Sequence, residues 1–204
     1  MVAEVGNLVG HVRTTNYGAI FDVVDLGSAG NSLAYTNVRI NAHTDNPYRD
    51  PFPTVQLLHC LVSAPEGGAT RLTDGFAAAE ALRARDPAAF RLLASTPHPF
   101  EYRDPSSGVL LRAETPVISL DGEGRLVRIA FNNRSAATLP PGRLSPAGLR
   151  AYYTAWAAFD ALCNADEFVL RIALRPGDLA LFSNGRVMHG REEYTRGAPR
   201  HLQG

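Results

Sequence analysis

An excess of either charge is missing from this 204-residue chain: Lys+Arg and Asp+Glu both total 20, so the formal net charge is zero. That balance excludes the basic surface expected of a nucleic-acid binder. Long apolar runs are also missing, and none approaches the roughly 20 residues needed to cross a bilayer. Met1 to Gly10 has neither the basic start nor the apolar block of a secretory signal. Cysteine is scarce. Cys60 and Cys163 both sit among apolar residues, which predicts reduced, buried thiols in a cytoplasmic protein. There is no internal repeat, and the 18 glycines and 14 prolines are scattered as punctuation. The remainder, 45% hydrophobic and 20% charged, suffices for one substantial core and predicts one domain over 1–204.

Short stretches rich in β-branched and aromatic residues predict strands over Gly18–Asp25, Leu33–Ile40, Thr54–Val62, Leu110–Leu120, Leu126–Asn132, Phe168–Leu174 and Asp178–Ser183. A helical pattern covers Asp74 to Ala94, split by Asp86-Pro87. A second helix starts at Ser145-Pro146 and carries Leu149, Tyr152, Tyr153, Trp156, Phe159 and Leu162 at helical spacing, a stripe read as core packing. Pro176-Gly177-Asp178 predicts a tight turn between two apolar strands. Many antiparallel strands with flanking helices predict a mainly β fold, a double-sheet jelly-roll barrel.

Within this framework one pattern carries chemistry. In an extended strand His43 and Asp45 face one way and Thr44 the other. With His189 from a remote segment they make two imidazoles and one carboxylate, the set that holds iron(II) and leaves coordination positions open. Arg200 adds a permanent forked cation suited to a carboxylate. An isolated His-x-Asp is weak evidence, and His59, inside an apolar strand, reads as a hydrogen-bonded core residue.

Several stretches continue the pattern in order: 42–47 (AHTDNP), 55–60 (VQLLHC), 66–70 (EGGAT), 74–76 (DGF), 127–133 (VRIAFNN), 184–194 and 200–204 (RHLQG). Together they resemble the taurine dioxygenase superfamily, and within it the γ-butyrobetaine hydroxylase and trimethyllysine dioxygenase branch. The resemblance implies a double-stranded β-helix, iron(II), and 2-oxoglutarate and dioxygen as co-substrates. It assigns His43, Asp45 and His189 to the metal and Arg200, Thr70 and Leu58 to the 2-oxoglutarate pocket. It implies hydroxylation of a small quaternary-ammonium carboxylate or phosphonate, held by a cage of Tyr17, Phe21 and Tyr35 and by one of Asn132 and Asn133. Two departures bear on substrate: Phe21 stands where tryptophan is usual, and Ser32 replaces an expected asparagine. A further cage tyrosine would follow Gly204, and a final barrel strand and tail would be expected after Arg200, so the resemblance implies either an unusually compact member or a catalytic-domain fragment. Partners expected are the small-molecule substrate and a second copy in a homodimer, with no nucleic acid and no membrane. The competing readings are a non-catalytic jelly-roll module that binds a small carboxylate, and a zinc hydrolase.

Overall fold

The computed structural model describes residues 1–25 and 35–204. In chain order they form α1 (Val2–Val9), β1 (Asp22–Val24), β2 (Ile40–His43), β3 (Val55–Val62), β4 (Thr70–Asp74), α2 (Gly75–Arg85), α3 (Pro87–Ser95), β5 (His98–Asp104), β6 (Val109–Thr115), β7 (Ile118–Leu120), β8 (Leu126–Ile129), α4 (Pro146–Asn164), β9 (Val169–Ile172), β10 (Leu179–Ser183), β11 (Val187–Arg191) and β12 (His201–Gln203).

Two four-stranded sheets carry the fold, in the orders β1-β12-β3-β10 and β2-β11-β4-β9. Every pairing within them is antiparallel. Strands remote in sequence therefore lie side by side, and successive strands alternate between the sheets. This is the two-sheet winding of a jelly roll, as expected. The hairpin pairs β5–β6 and β7–β8, with α2, α3 and α4, are inserted between β4 and β9.

The helices begin where side chains satisfy their free N–H groups. Asp74 accepts from the amides of Phe76 and Ala77, Asp86 from Ala88 and Ala89, and Ser145 from Gly148. Pro87 and Pro146 occupy first-turn positions, where a missing N–H costs nothing. The expected split at Asp86-Pro87 is a cap between two helices. Tyr152, Trp156, Phe159 and Leu162 of α4 are buried against Phe100, Ile118, Ile129 and Phe131. Leu149 and Tyr153 of the same stripe are exposed. A smaller cluster of Leu58, Cys60, Phe182 and Leu202 is the second apolar centre. Cys60 and Cys163 are both free and buried.

Several expectations need correction. The strand expected over Gly18–Asp25 is confined to Asp22–Val24. The one expected over Leu33–Ile40 begins outside the described residues, and the strand there starts only at Ile40. Leu110–Leu120 is two strands, because Pro116 has no N–H to continue a ladder. Pro176-Gly177 does turn the chain, with Asp178 N–H donating to the Arg175 carbonyl at 2.9 Å, but it links strands of different sheets. His59 is buried, yet no hydrogen bond holds its ring among the described residues. The last strand of the described residues, β12, is paired between β1 and β3.

His98 on β5 is wholly buried, with Trp156 and Tyr152 ring centroids 4.5 and 5.8 Å away. Burial pushes its pKa down to about 4. A base with a folded pKa below its unfolded value near 6.5 is held neutral by the fold. Its full contribution is present above about pH 6.5 and is lost as pH falls toward 4, by up to about 3 kcal/mol. Urea unfolding at pH 7.5, 6 and 4.5 will show stability declining with acidity, and His98→Phe will decline less.

Candidate active site

β2 ends at His43, and the alternation continues just past it. Thr44 turns into the core, where its hydroxyl accepts from the Phe131 amide at 3.0 Å. His43 and Asp45 face His189, the central residue of β11. His43 Nε2 lies 3.5 Å from Asp45 Oδ1, and His189 Nε2 lies 3.8 Å from Asp45 Oδ2. One ligand atom from each of the three residues falls within 4.8 Å of the others. That spacing suits donors around one shared ion.

Register brings the two histidines together: His189 pairs directly with His43 across β11–β2, and their ring centroids are 4.3 Å apart. The pairing shifts between His189 and Arg191, a bulge of the kind common beside active sites. Gly190 occupies that bulge. A Cβ there would collide with the carbonyl oxygen of Ile40 and lie 3.1 Å from the Asn41 carbonyl carbon. No other residue permits so close an approach of the two strands.

Beyond the end of β2 the Asp45 backbone has no strand neighbour. The wholly buried Asn184 replaces one. Its Oδ1 accepts from the Asp45 N–H at 2.8 Å, and its Nδ2 donates to the Asp45 and Pro53 carbonyls, both at 3.0 Å. The Asn41 carbonyl accepts from His43 Nδ1 at 2.9 Å, which puts the proton on Nδ1 and leaves the Nε2 lone pair facing Asp45. Burial alone would raise the Asp45 carboxyl, but His189, His43 and Arg134 overcome it and hold the group well below the usual carboxylate range. Burial pushes His189 down to about 3, reinforced by His43. An ionised carboxylate, a neutral His189 and a second imidazole with its Nε2 facing them fit iron(II).

The family model described as "Taurine catabolism dioxygenase TauD, TfdA family" matches residues 2–204. The chain belongs to that family. This TauD/TfdA-family chain is 38% identical over 197 residues to gamma-butyrobetaine dioxygenase of Pseudomonas sp. (strain AK-1), covering 96% of this chain and 50% of the relative. It is 35% identical over 213 residues to the human protein of the same name, covering 100% of this chain and 52% of that one. The chain thus spans about half the length of these relatives. A solved asparagine oxygenase in complex with Fe(II), 2S,3S-3-hydroxyasparagine and succinate superposes with a TM-score of 0.65 at 21% identity, over 90% of this chain and 55% of that one. At that identity the likeness concerns the fold.

The triad lines a cavity of about 480 Å³, and Arg200, Thr70 and Leu58 line it too. Arg200 is buried, and among the described residues neither a carboxylate nor a carbonyl bonds its guanidinium. Its Cζ lies 5.6 Å from the Tyr194 ring centroid, with the buried Arg191 5.0 Å from the same ring. Burial lowers the pKa of both, and the charge of Arg200 lowers Arg191 further, to about 10. Gly68 lies beneath Arg200, where a Cβ would come within 3.1 Å of Nε. Arg191 donates to the Thr36 and Val38 carbonyls at 2.6 and 2.7 Å, so Arg200 is the cation of this wall suited to a ligand carboxylate.

Tyr17, Phe21 and Tyr35 all line the cavity. Tyr17 and Phe21 lie 6.0 Å apart, while Tyr35 touches neither ring among the described residues. Sequence reasoning missed Tyr48 and Tyr102, which stack at 5.4 Å and continue the aromatic wall from Tyr17. Of the paired asparagines only Asn132 lines the cavity. Asn133 faces away: its Oδ1 accepts from Trp156 Nε1 at 2.6 Å and its Nδ2 donates to Asp160 at 3.0 Å. Its expected role in substrate binding is therefore withdrawn. Ser32 lies outside the described residues.

Asn184→Ala strips partners from buried backbone groups and will destabilise the fold by roughly 2–4 kcal/mol. Calorimetry will show iron(II) affinity falling about 10–100-fold, as for other residues that orient a metal ligand. Gly190→Ala will separate the histidine strands and weaken iron(II) binding, measured in the same way.

Proposed function

We propose that this chain is the catalytic domain, over 1–204, of an iron(II)- and 2-oxoglutarate-dependent dioxygenase that hydroxylates a small quaternary-ammonium acid. The observation that carries the reading is the convergence of His43, Asp45 and His189 in one cavity with Arg200, a buried cation that no carboxylate engages among the described residues. His43, Asp45 and His189 would hold the iron, which when bound supplies activation of dioxygen coupled to oxidative decarboxylation of 2-oxoglutarate. The net change is C–H, dioxygen and 2-oxoglutarate giving C–OH, succinate and carbon dioxide.

The protein supplies position and charge. Arg200 holds the remote carboxylate of 2-oxoglutarate by charge-assisted hydrogen bonds, Thr70 adds a hydroxyl, and Leu58 fills the apolar side. Tyr17 and Phe21, continued by Tyr102 and Tyr48, face the trimethylammonium group, each good contact contributing roughly 0.5–2 kcal/mol. Tyr35 lines the same cavity without stacking on these rings among the described residues. Relatives named for γ-butyrobetaine support a trimethylammonium substrate.

The neutral net charge and two buried free thiols support a cytoplasmic setting without nucleic-acid partners. Among the described residues no helix is long and apolar enough to cross a membrane. A homodimer belongs to the same proposal. The intact ligand triad weighs against the non-catalytic module, since a simple carboxylate binder needs no converging metal donors.

The test is succinate formation with iron(II), 2-oxoglutarate and γ-butyrobetaine. His43→Ala and Asp45→Ala will lose iron binding, and Arg200→Ala will raise the KM for 2-oxoglutarate by about 10–100-fold, the loss expected for charge-assisted bonds. Full iron affinity in both ligand variants would overturn the reading.

A further inference from the structure

Tyr17 and Phe21 share the aromatic wall, yet the chain fixes them by different means. Tyr17 sits in a turn of its own. The Thr15 hydroxyl donates to the Gly18 carbonyl at 2.9 Å and accepts from the Tyr17 amide at 3.1 Å. Phe21 is held from the opposite end of the sequence. Its N–H donates to the Gly204 carbonyl at 3.0 Å, and its carbonyl accepts from the Gly204 N–H at 2.9 Å. Among the described residues β1, which begins at the next position, pairs with β12 alone.

Side chains alternate across this pair of strands. Phe21, Val23, Arg200 and Leu202 line the cavity. Gly204 continues that inner row beneath the Phe21 ring, where a Cβ would come 2.6 Å from Cζ and 3.0 Å from Cε2. Any side chain at 204 would push the ring aside. On the outer face Asp22 lies opposite Gln203. Asp22 Oδ1 accepts from Gln203 Nε2 at 3.3 Å and lies 2.8 Å from His201 Nε2. The bond with His201 holds the Asp22 carboxyl below its usual range, so the carboxylate accepts and the imidazole donates. One oxygen thus ties β1 to two residues of β12, immediately beside Phe21.

We infer that Asp22 is a positioning residue for the ammonium end of the substrate: by fastening β1 to His201 and Gln203, it seats Phe21 on Gly204 and fixes that ring against Tyr17. The inference rests on the proposed function and names what sets the geometry of its aromatic wall. Cation–π attraction requires the ring face to be presented to the cation. A three-residue strand at a sheet margin, with one neighbour, is weakly held by backbone bonds alone. Asp22 is among the exposed residues, and exposed ion pairs contribute little to overall stability. The tie therefore acts on local geometry. Since Oδ1 makes both contacts, an amide oxygen can replace it.

The experiment measures γ-butyrobetaine affinity by calorimetry under nitrogen, with iron(II) and 2-oxoglutarate bound. Asp22→Ala will weaken binding about 3–10-fold, the worth of one good ring contact, while Asp22→Asn will retain most of it. Affinity for 2-oxoglutarate, gripped next to the tie at Arg200, will change much less. Phe21→Ala will also weaken γ-butyrobetaine, and adding Asp22→Ala to it will cost nothing more, because the tie acts through the ring. Gly204→Ala will behave as Phe21→Ala does. In turnover the loss will fall on the KM for γ-butyrobetaine and not on kcat. Thermal melts check folding, and His201→Ala repeats the measurement from the other strand. Undiminished binding by Asp22→Ala, an equal further loss in the Phe21→Ala background, or a 2-oxoglutarate loss as large as that of γ-butyrobetaine overturns the assignment. A wild type that binds no γ-butyrobetaine strikes instead at the proposed function. Hydrogen exchange at the Phe21 amide of the ligand-free protein then decides the tie, and exchange no faster in Asp22→Ala than in wild type overturns it.

Discussion

Backbone contact between β2 and β11 is the constraint on which the site depends. The two strands come so near at Gly190 that a methyl group would meet the Ile40 carbonyl, and this nearness sets the 4.3 Å separation of the histidine rings. Other contacts hold the approach in place. Asn164, at the C-terminal end of α4, accepts from the Ala42 amide at 3.1 Å, one residue before His43. Its backbone carbonyl also accepts from the wholly buried Arg71, whose other nitrogen pairs with Glu192 just beyond β11. One helix end thus braces the strand of each histidine, and Asn184 braces Asp45.

A neutral chain has been given a distinctly uneven interior. Arg200 and Arg191 are buried on one wall, and Arg134 reaches the same cavity from its mouth. Asp45 is the carboxylate at the triad, and Glu101 is neutralised locally by Arg103. Most remaining charge is spent in surface pairs such as Arg186–Asp74 and Arg85–Glu167, which contribute little to stability. Net charge therefore excluded some partners but said nothing about local field. The cavity carries cationic side chains on its wall, one carboxylate at the triad and an aromatic face.

How much of this was readable depended on whether a residue acts through local geometry or through distant packing. His43 and Asp45 were legible because alternation at a strand end is a two-residue property. The helix starts were legible because Asp74, Asp86 and Ser145 cap within three positions of themselves. Asn132 and Asn133 could not be separated, since their directions are decided by Thr44 on one side and by Trp156 and Asp160 on the other. Tyr48 and Tyr102 were missed because they enter from the segment after Asp45 and from the inserted β5–β6 hairpin. Strands such as β12, three residues long with one buried side chain, show too little alternation to be recognised.

The placement of β12 has a consequence for how the molecule comes into being. It lies between β1 and β3, so the earliest strand has no neighbour within its sheet until the latest one arrives. Leu202 of that strand also seals the apolar centre near the cavity. Pairing across nearly the full length of the chain is slow to form, and β3 presents a bare edge meanwhile. Among the described residues most secondary structure can therefore form before Arg200 and Leu202 reach the cavity, so the cavity wall is assembled late and not piece by piece.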